Sequence, residues 1–205
     1  MKIEVKNSVK PLDYIKSIKI LEQRVQDVFL GKKDELLWVI EHNPVYTAGS
    51  SSKNKDLLDK NLNVIKTSRG GKYTYHGPGQ KVVYFVLNLN KREKNIRKLV
   101  SNIENCIIDV LDTYKITSYT DKKNIGIWVD ERNNSMKIAA IGIRVKKWIA
   151  YHGFSLNIST DLSKYNKIIP CGIIDKEITS LKKLGIKNFT NIDQLIIKKF
   201  LNIFL

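Results

Sequence analysis

The 205-residue chain is predicted to be an α+β protein built on a mixed sheet, and three observations lead there. Short apolar runs of strand length are interspersed with stretches of helical periodicity, without the regular strand–helix alternation of a doubly wound fold. A glycine-rich stretch, residues 69–80, leads straight into an apolar strand, Val82-Val83-Tyr84-Phe85-Val86-Leu87. No internal repeat, low-complexity tract or linker divides the chain, so residues 1–205 read as a single domain with a substantial core.

Met1-Lys2-Ile3-Glu4-Val5-Lys6 alternates charged and apolar residues as a first strand does, and it has none of the features of a signal peptide. Apolar residues at 12, 15, 18, 21, 25, 28 and 29 form a helical stripe over residues 11–30, which Gly31 can stop. Leu36-Leu37-Trp38-Val39-Ile40 reads as a buried strand that His42-Asn43-Pro44 breaks. Residues 47–63 read as a polar loop holding Leu57-Leu58, and Val64-Ile65 starts another short strand. A second helix is expected over about 93–114. Residues 125–129 and 137–145 look like the arms of a hairpin with a polar turn at 130–135. Residues 148–158 give a further strand, followed by a helix near 179–184 and a terminal helix from about Asn191.

Composition excludes several classes. An apolar fraction of 42% with nine tyrosines is that of a globular protein, not a disordered one. No apolar run approaches the roughly 20 residues of a membrane span, so a soluble cytoplasmic protein is expected. Two cysteines, Cys106 and Cys171, are too few for a disulfide framework. Three histidines without CxxC or HExxH spacing give no metal site. Cys106 falls among apolar residues at helical spacing and reads as a small buried hydrophobe. The net charge of +16 favours acidic partners, of which nucleic acid and a small acidic carrier protein are two. The lysines are dispersed, and no recognition-helix or RNP-like pattern is present, which argues against nucleic acid.

Three stretches carry chemistry. In Arg69-Gly70-Gly71-Lys72-Tyr73-Thr74-Tyr75-His76-Gly77-Pro78-Gly79-Gln80, glycines that let backbone approach a ligand alternate with rigid rings, as in a substrate cradle. Pro170-Cys171-Gly172 sets a thiol between a residue that fixes the approach and one that leaves the next amide open. The same residues also suit a buried cysteine in a tight turn. A nucleophilic thiol needs a nearby cation or base, and His76, His152 and a lysine are the candidates. Lys137 is preferred among the lysines because Ile138-Ala139-Ala140-Ile141-Gly142-Ile143 follows it. Desolvation in such a segment favours the neutral amine, which can act as a base.

These segments together resemble the lipoyl(octanoyl) transferase family. The resemblance rests on the 69–80 stretch, on Lys137-Ile138-Ala139-Ala140-Ile141-Gly142-Ile143-Arg144, on Tyr151-His152-Gly153-Phe154-Ser155-Leu156-Asn157 and on Pro170-Cys171-Gly172-Ile173, in that order. Glu41-His42-Asn43-Pro44-Val45-Tyr46-Thr47 resembles the family's strand-exit segment, and the likeness spans about residues 10–185. It implies a biotin/lipoyl protein ligase-like catalytic domain that moves an octanoyl or lipoyl group from acyl carrier protein to a lysine of a lipoyl domain. Acceptors would be the lipoyl domains of 2-oxoacid dehydrogenases and the glycine cleavage H protein. By the same resemblance Cys171 is the nucleophile that forms a thioester, and Lys137 lowers its pKa and handles protons. Residues Arg69, Gly70, Gly71, Lys72, Tyr73, Thr74, Tyr75 and His76 form the acyl-binding loop. Ala140, Ile141 and Gly142 form a second wall, and Gly153, Phe154 and Ser155 a third; Tyr73, Tyr75 and Phe154 are expected to line the chain. No cofactor or metal is implied, since the acyl group arrives on the carrier's phosphopantetheine arm, and a monomer is expected. An ATP-dependent lipoate ligase and an octanoyl amidotransferase share the fold and are the competing activities. Departures from the family are a longer polar turn at 130–135 and a tail after Gly185 without a motif.

Overall fold

The computed structural model describes residues 2–131, 134–170 and 177–205. In chain order these form β1 (Ile3–Asn7), α1 (Tyr14–Phe29), β2 (Glu35–Ile40), β3 (Val45–Ala48), β4 (Val64–Lys66), β5 (Tyr73–His76) and β6 (Gln80–Asn88). There follow α2 (Ile96–Thr113), β7 (Tyr119–Thr120), β8 (Ile127–Glu131), β9 (Asn134–Lys146), β10 (Ile149–Asn157), β11 (Glu177–Ile178) and α3 (Ile192–Phe204). The main sheet runs β1-β2-β6-β10-β9-β8-β7, with β11 beside β9. Its β1–β2 and β9–β11 pairs are parallel and the others antiparallel, the mixed sheet that the sequence predicts. A small second sheet, β4-β3-β5, carries the glycine-rich stretch.

Helices α1 and α2 begin about three residues later than apolar periodicity suggests, because polar caps decide where they start. Asp13 accepts from the Lys16 amide at 2.8 Å, and Asn95 accepts from the Lys98 amide at 3.0 Å. Each satisfies a backbone donor that the first turn leaves open.

Alternation along the central strands gives the sheet two unlike faces. Val83, Phe85 and Leu87 of β6, with Leu37 and Val39 of β2 and Phe154 and Leu156 of β10, join α2 and α3 in the larger core. Their neighbours Val82, Tyr84 and Val86, with Leu36, Trp38, Ile40 and Tyr151, pack with Leu21, Val25 and Val28 of α1. A third cluster, of Ala48, Tyr73, Tyr75, Tyr165 and Ile168, lies on the small sheet.

The structure corrects the reading in three places. The hairpin ladder continues through Asp130 opposite Ser135 to Glu131 opposite Asn134, so most of the expected polar turn is strand; residues 132–133 lie outside the described residues. The helix expected near 179–184 is a single turn, in which the Leu184 amide bonds the Ser180 carbonyl at 3.1 Å before Gly185 reverses the chain at φ 86°. One turn fixes several dihedrals for one bond and does not propagate. Strands β3, β5, β7 and β11 go unpredicted, being two to four residues long. No helix among the described residues is long and apolar enough to cross a membrane.

Candidate active site

A narrow cavity of about 60 Å³ opens between the glycine-rich stretch and the β9–β10 pair. Its walls follow from strand register. Ala140 pairs with Ser155 and Gly142 with Gly153, which puts four small residues on the sheet face turned away from α2 and α3. Residues Arg69 to Thr74 in sequence, with His76, close the opposite side, and the Gly70 amide reaches the Ile143 carbonyl at 3.2 Å. Ile141 and Phe154 border the cavity, but their side chains belong to the larger core, as their opposite parity requires. Phe154 thus lines the cavity while its ring packs in the larger core.

The loop residues divide in the same way. Tyr73, Thr74 and His76 reach the cavity. Tyr75 does not, because its ring turns into the third cluster against Tyr46 and Tyr165, at 5.2 and 5.9 Å between centroids. Arg69 holds the loop in shape: its guanidinium donates to the Gly70 carbonyl at 2.9 Å, Thr47 Oγ1 at 2.7 Å and the Lys72 carbonyl at 2.9 Å. Gly49 permits this close wrapping, since a Cβ there would strike the Gly71 carbonyl.

Beneath the cavity lies a layer of buried rings. His42 donates from Nδ1 to the Leu12 carbonyl at 3.0 Å, so its Nε2 accepts from the Tyr84 hydroxyl at 2.8 Å. His76 donates from Nδ1 to Gln80 Oε1 at 2.6 Å. The Gln80 amide in turn donates to Asn157 Oδ1 at 2.9 Å and to the Tyr165 hydroxyl at 2.8 Å. Tyr14, at the start of α1, lies edge-on to His42 and stacks over His76. Burial pushes His42 down to about 4. It pushes His76 and His152 down to about 3, aided by the charges of Arg69 and a second neighbour, His42 for His76 and Arg144 for His152. All three imidazoles are neutral at neutral pH and supply no cation to a thiol.

Lys137 sits at the other end of β9, placed by a bulge. Ile127 pairs with Ala139 while the next residue, Trp128, pairs with Lys137, so Ile138 is an extra residue on β9. Ile138 and Ala139 both enter the larger core, and Lys137 takes the opposite face, the one that holds Ala140 and Gly142. It is 3% exposed; Nζ donates to the Ile125 carbonyl at 2.9 Å and lies 4.7 Å from the Trp128 ring centroid. Among the described residues no carboxylate pairs with it. Cys171 lies outside the described residues. The chain re-enters at Glu177 opposite Met136, and the Thr179 amide bonds the Lys137 carbonyl at 2.9 Å. Cys106, fully buried in α2, has its thiol pushed up to about 12 by burial. No metal-binding cluster occurs among the described residues.

Tyr14, Val82, Tyr84 and His152 also line the cavity and were not assigned to the acyl pocket. For Val82 and Tyr84 the signal was present, since they occupy alternate positions of one strand directly after the glycine-rich stretch. Tyr14 joins from a helix start far away in sequence, and nothing local marks it.

This architecture defines the catalytic domain shared by lipoyl and biotin protein ligases. The family model for the lipoyl protein ligase A/B catalytic domain matches residues 13–201. A bipartite lipoate protein ligase structure from Thermoplasma acidophilum superposes with a TM-score of 0.72 at 11% identity, covering 98% of this chain and 84% of the other. A lipoate-protein ligase A bound with ATP gives 0.72 at 11%, covering 98% and 85%. The octanoyltransferase of Ehrlichia chaffeensis is 47% identical over 205 residues, 98% of this chain and 96% of the relative. That of Anaplasma phagocytophilum is 44% identical over the full length of both. The chain belongs to this lipoyl protein ligase A/B family, among the octanoyltransferases that it matches from end to end.

Proposed function

We propose that the protein transfers an octanoyl group from acyl carrier protein to a lysine ε-amine of a lipoyl domain, through a thioester on Cys171. The observation that carries this reading is the continuity of one sheet face: Lys137, Ala140 and Gly142 follow one another along β9, joining a buried amine to a trough of small residues. The near-full-length likeness to octanoyltransferases supports the choice of acyl group. About six methylenes of an octanoyl chain buried in the trough contribute roughly 5 kcal/mol at ~0.8 kcal/mol each.

In the first half-reaction Lys137 Nζ takes the thiol proton, and the Cys171 thiolate attacks the carbonyl carbon of the carrier thioester. The carrier's thiolate leaves and receives that proton, so one thioester replaces another. In the second half-reaction the acceptor's neutral amine attacks the Cys171 thioester, the Cys171 thiolate departs, and Lys137 accepts the amine's extra proton. An amide has replaced a thioester, which makes the sum favourable without ATP. The phosphopantetheine arm delivers the acyl group, and the chain acts as a monomer on acceptors such as the lipoyl domains of 2-oxoacid dehydrogenases and the glycine cleavage H protein.

Intact-mass spectrometry after mixing with octanoyl-acyl carrier protein tests the reading. Wild type should gain one octanoyl group that apo lipoyl domain discharges, and Cys171→Ala should gain none. An adduct that persists in Cys171→Ala, or transfer that requires ATP and free octanoate, would refute it.

A further inference from the structure

One residue lining the cavity has a backbone that breaks the rule of its strand. His152 has φ 68° within β10, although the ladder to β6 runs unbroken from Ile149 to Asn157. By parity His152 should face α2 and α3, as Ala150 and Phe154 do. Its ring instead stacks on that of Tyr151, its chain neighbour, at 4.7 Å and 21°, and meets Tyr84 edge-on. Two consecutive side chains thus share one face. The next residue, Gly153, has no Cβ, and one placed there would collide with the Val83 carbonyl.

Two costs accompany the arrangement. A non-glycine residue in the left-handed region costs on the order of 1–3 kcal/mol. Among the described residues His152 Nδ1 is also buried without a hydrogen-bond partner, while Nε2 makes a long contact, 3.4 Å, to Ser68 Oγ. An aliphatic residue in extended backbone would fill the same core without either cost, so packing alone does not account for the residue.

Register supplies its position. From the Ala140–Ser155 pair to the Arg144–Tyr151 pair, on which His152 stacks, the strands advance four residues, about 14 Å at ~3.4 Å each. An extended octanoyl chain has seven C–C bonds and spans about 9 Å at ~1.25 Å of advance per bond. Ring thickness and van der Waals clearance fill most of the remainder. We propose that His152 is a specificity-determining residue, the end wall against which the last carbons of an eight-carbon acyl chain stop. The proposal rests on the transfer reading above, which puts the reacting carbonyl at the Lys137 end and the tail at His152.

His152→Gly and His152→Asn both suit a positive φ and remove the ring. With octanoyl, decanoyl and dodecanoyl thioesters on acyl carrier protein, wild type should favour octanoyl. Both variants should raise the dodecanoyl-to-octanoyl ratio of kcat/KM at least tenfold. An unchanged ratio in the folded variants overturns the wall while leaving octanoyl transfer intact; a wild type that transfers no octanoyl group overturns the transfer reading itself. A measurement on wild type alone covers variants that do not fold. An octanoyl donor with a terminal diazirine, photolysed on the protein, should label His152, Tyr151 or Ser68. Labelling confined to residues around Ala140 and Ser155 would overturn the proposal.

Discussion

The two faces of the β9–β10 pair share a backbone and differ in nearly everything else. One face carries Ile138, Ala139, Phe154 and Leu156 into a buried hydrophobic core under α2 and α3. The other carries Lys137, Ala140, Gly142, Gly153 and Ser155, small or polar, above a layer of rings joined by hydrogen bonds. Stability and selectivity are thereby assigned to alternate residues of the same strands. A close-packed face tolerates no deletion of volume, whereas the cavity face needs its volume left out.

The sharpest way to break this division acts on the cavity face alone. Lys137→Met keeps bulk and removes the amine; kcat/KM for transfer should fall by about 10²–10⁴, the range of general acid–base groups, with little change in Tm. A fall in Tm that accounts for the lost activity would put Lys137 on the structural side. The opposite test is Phe85→Ala in the larger core, which should cost about 3–5 kcal/mol in a urea melt. Activity per folded molecule should survive; its loss would show that the faces are coupled.

The ring layer gives a pH signature. His42, His76 and His152 have folded values near 4, 3 and 3 against the ordinary 6.5. Their folded values are depressed, so the unfolded chain binds protons first as pH falls. Stability is complete above about 6.5 and is lost towards the folded values. At about pH 5.5 each histidine should have cost on the order of 1.4 kcal/mol, visible as a falling urea midpoint between pH 7 and 5. A flat midpoint would mean that the imidazoles are hydrated. The smallest effect is expected from Ala140→Val. Displacing about two methylenes of the acyl chain costs ~1.6 kcal/mol, seen as a roughly tenfold higher KM for octanoyl donor at unchanged stability.

The same division explains what the sequence made legible. The glycine-rich stretch and the small residues 140, 142 and 153 announce a cavity because they leave volume unfilled within otherwise apolar strands. Buried helices α1, α2 and α3 are legible from periodicity. Tyr75 reads as lining and lies instead in the third cluster, because composition reports which rings are nearby and not which way they point. Direction depends on parity, and parity changes wherever a backbone irregularity intervenes. The histidine layer was invisible for another reason: its members come from five separate segments that only the folded sheet brings together.

Ile138 has a consequence for anyone counting along β9. It acts as a phase shift: before it, even-numbered residues such as Met136 face the core, and after it the odd-numbered Ala139, Ile141 and Ile143 do. The same sequence running here as a regular strand, without the bulge, would keep its composition and its hydropathy, yet present either its amine to the aliphatic side or its isoleucines to the substrate. Comparisons among relatives must therefore align this strand by its ladder partners, because position number alone would exchange the inside of the protein for its reacting surface.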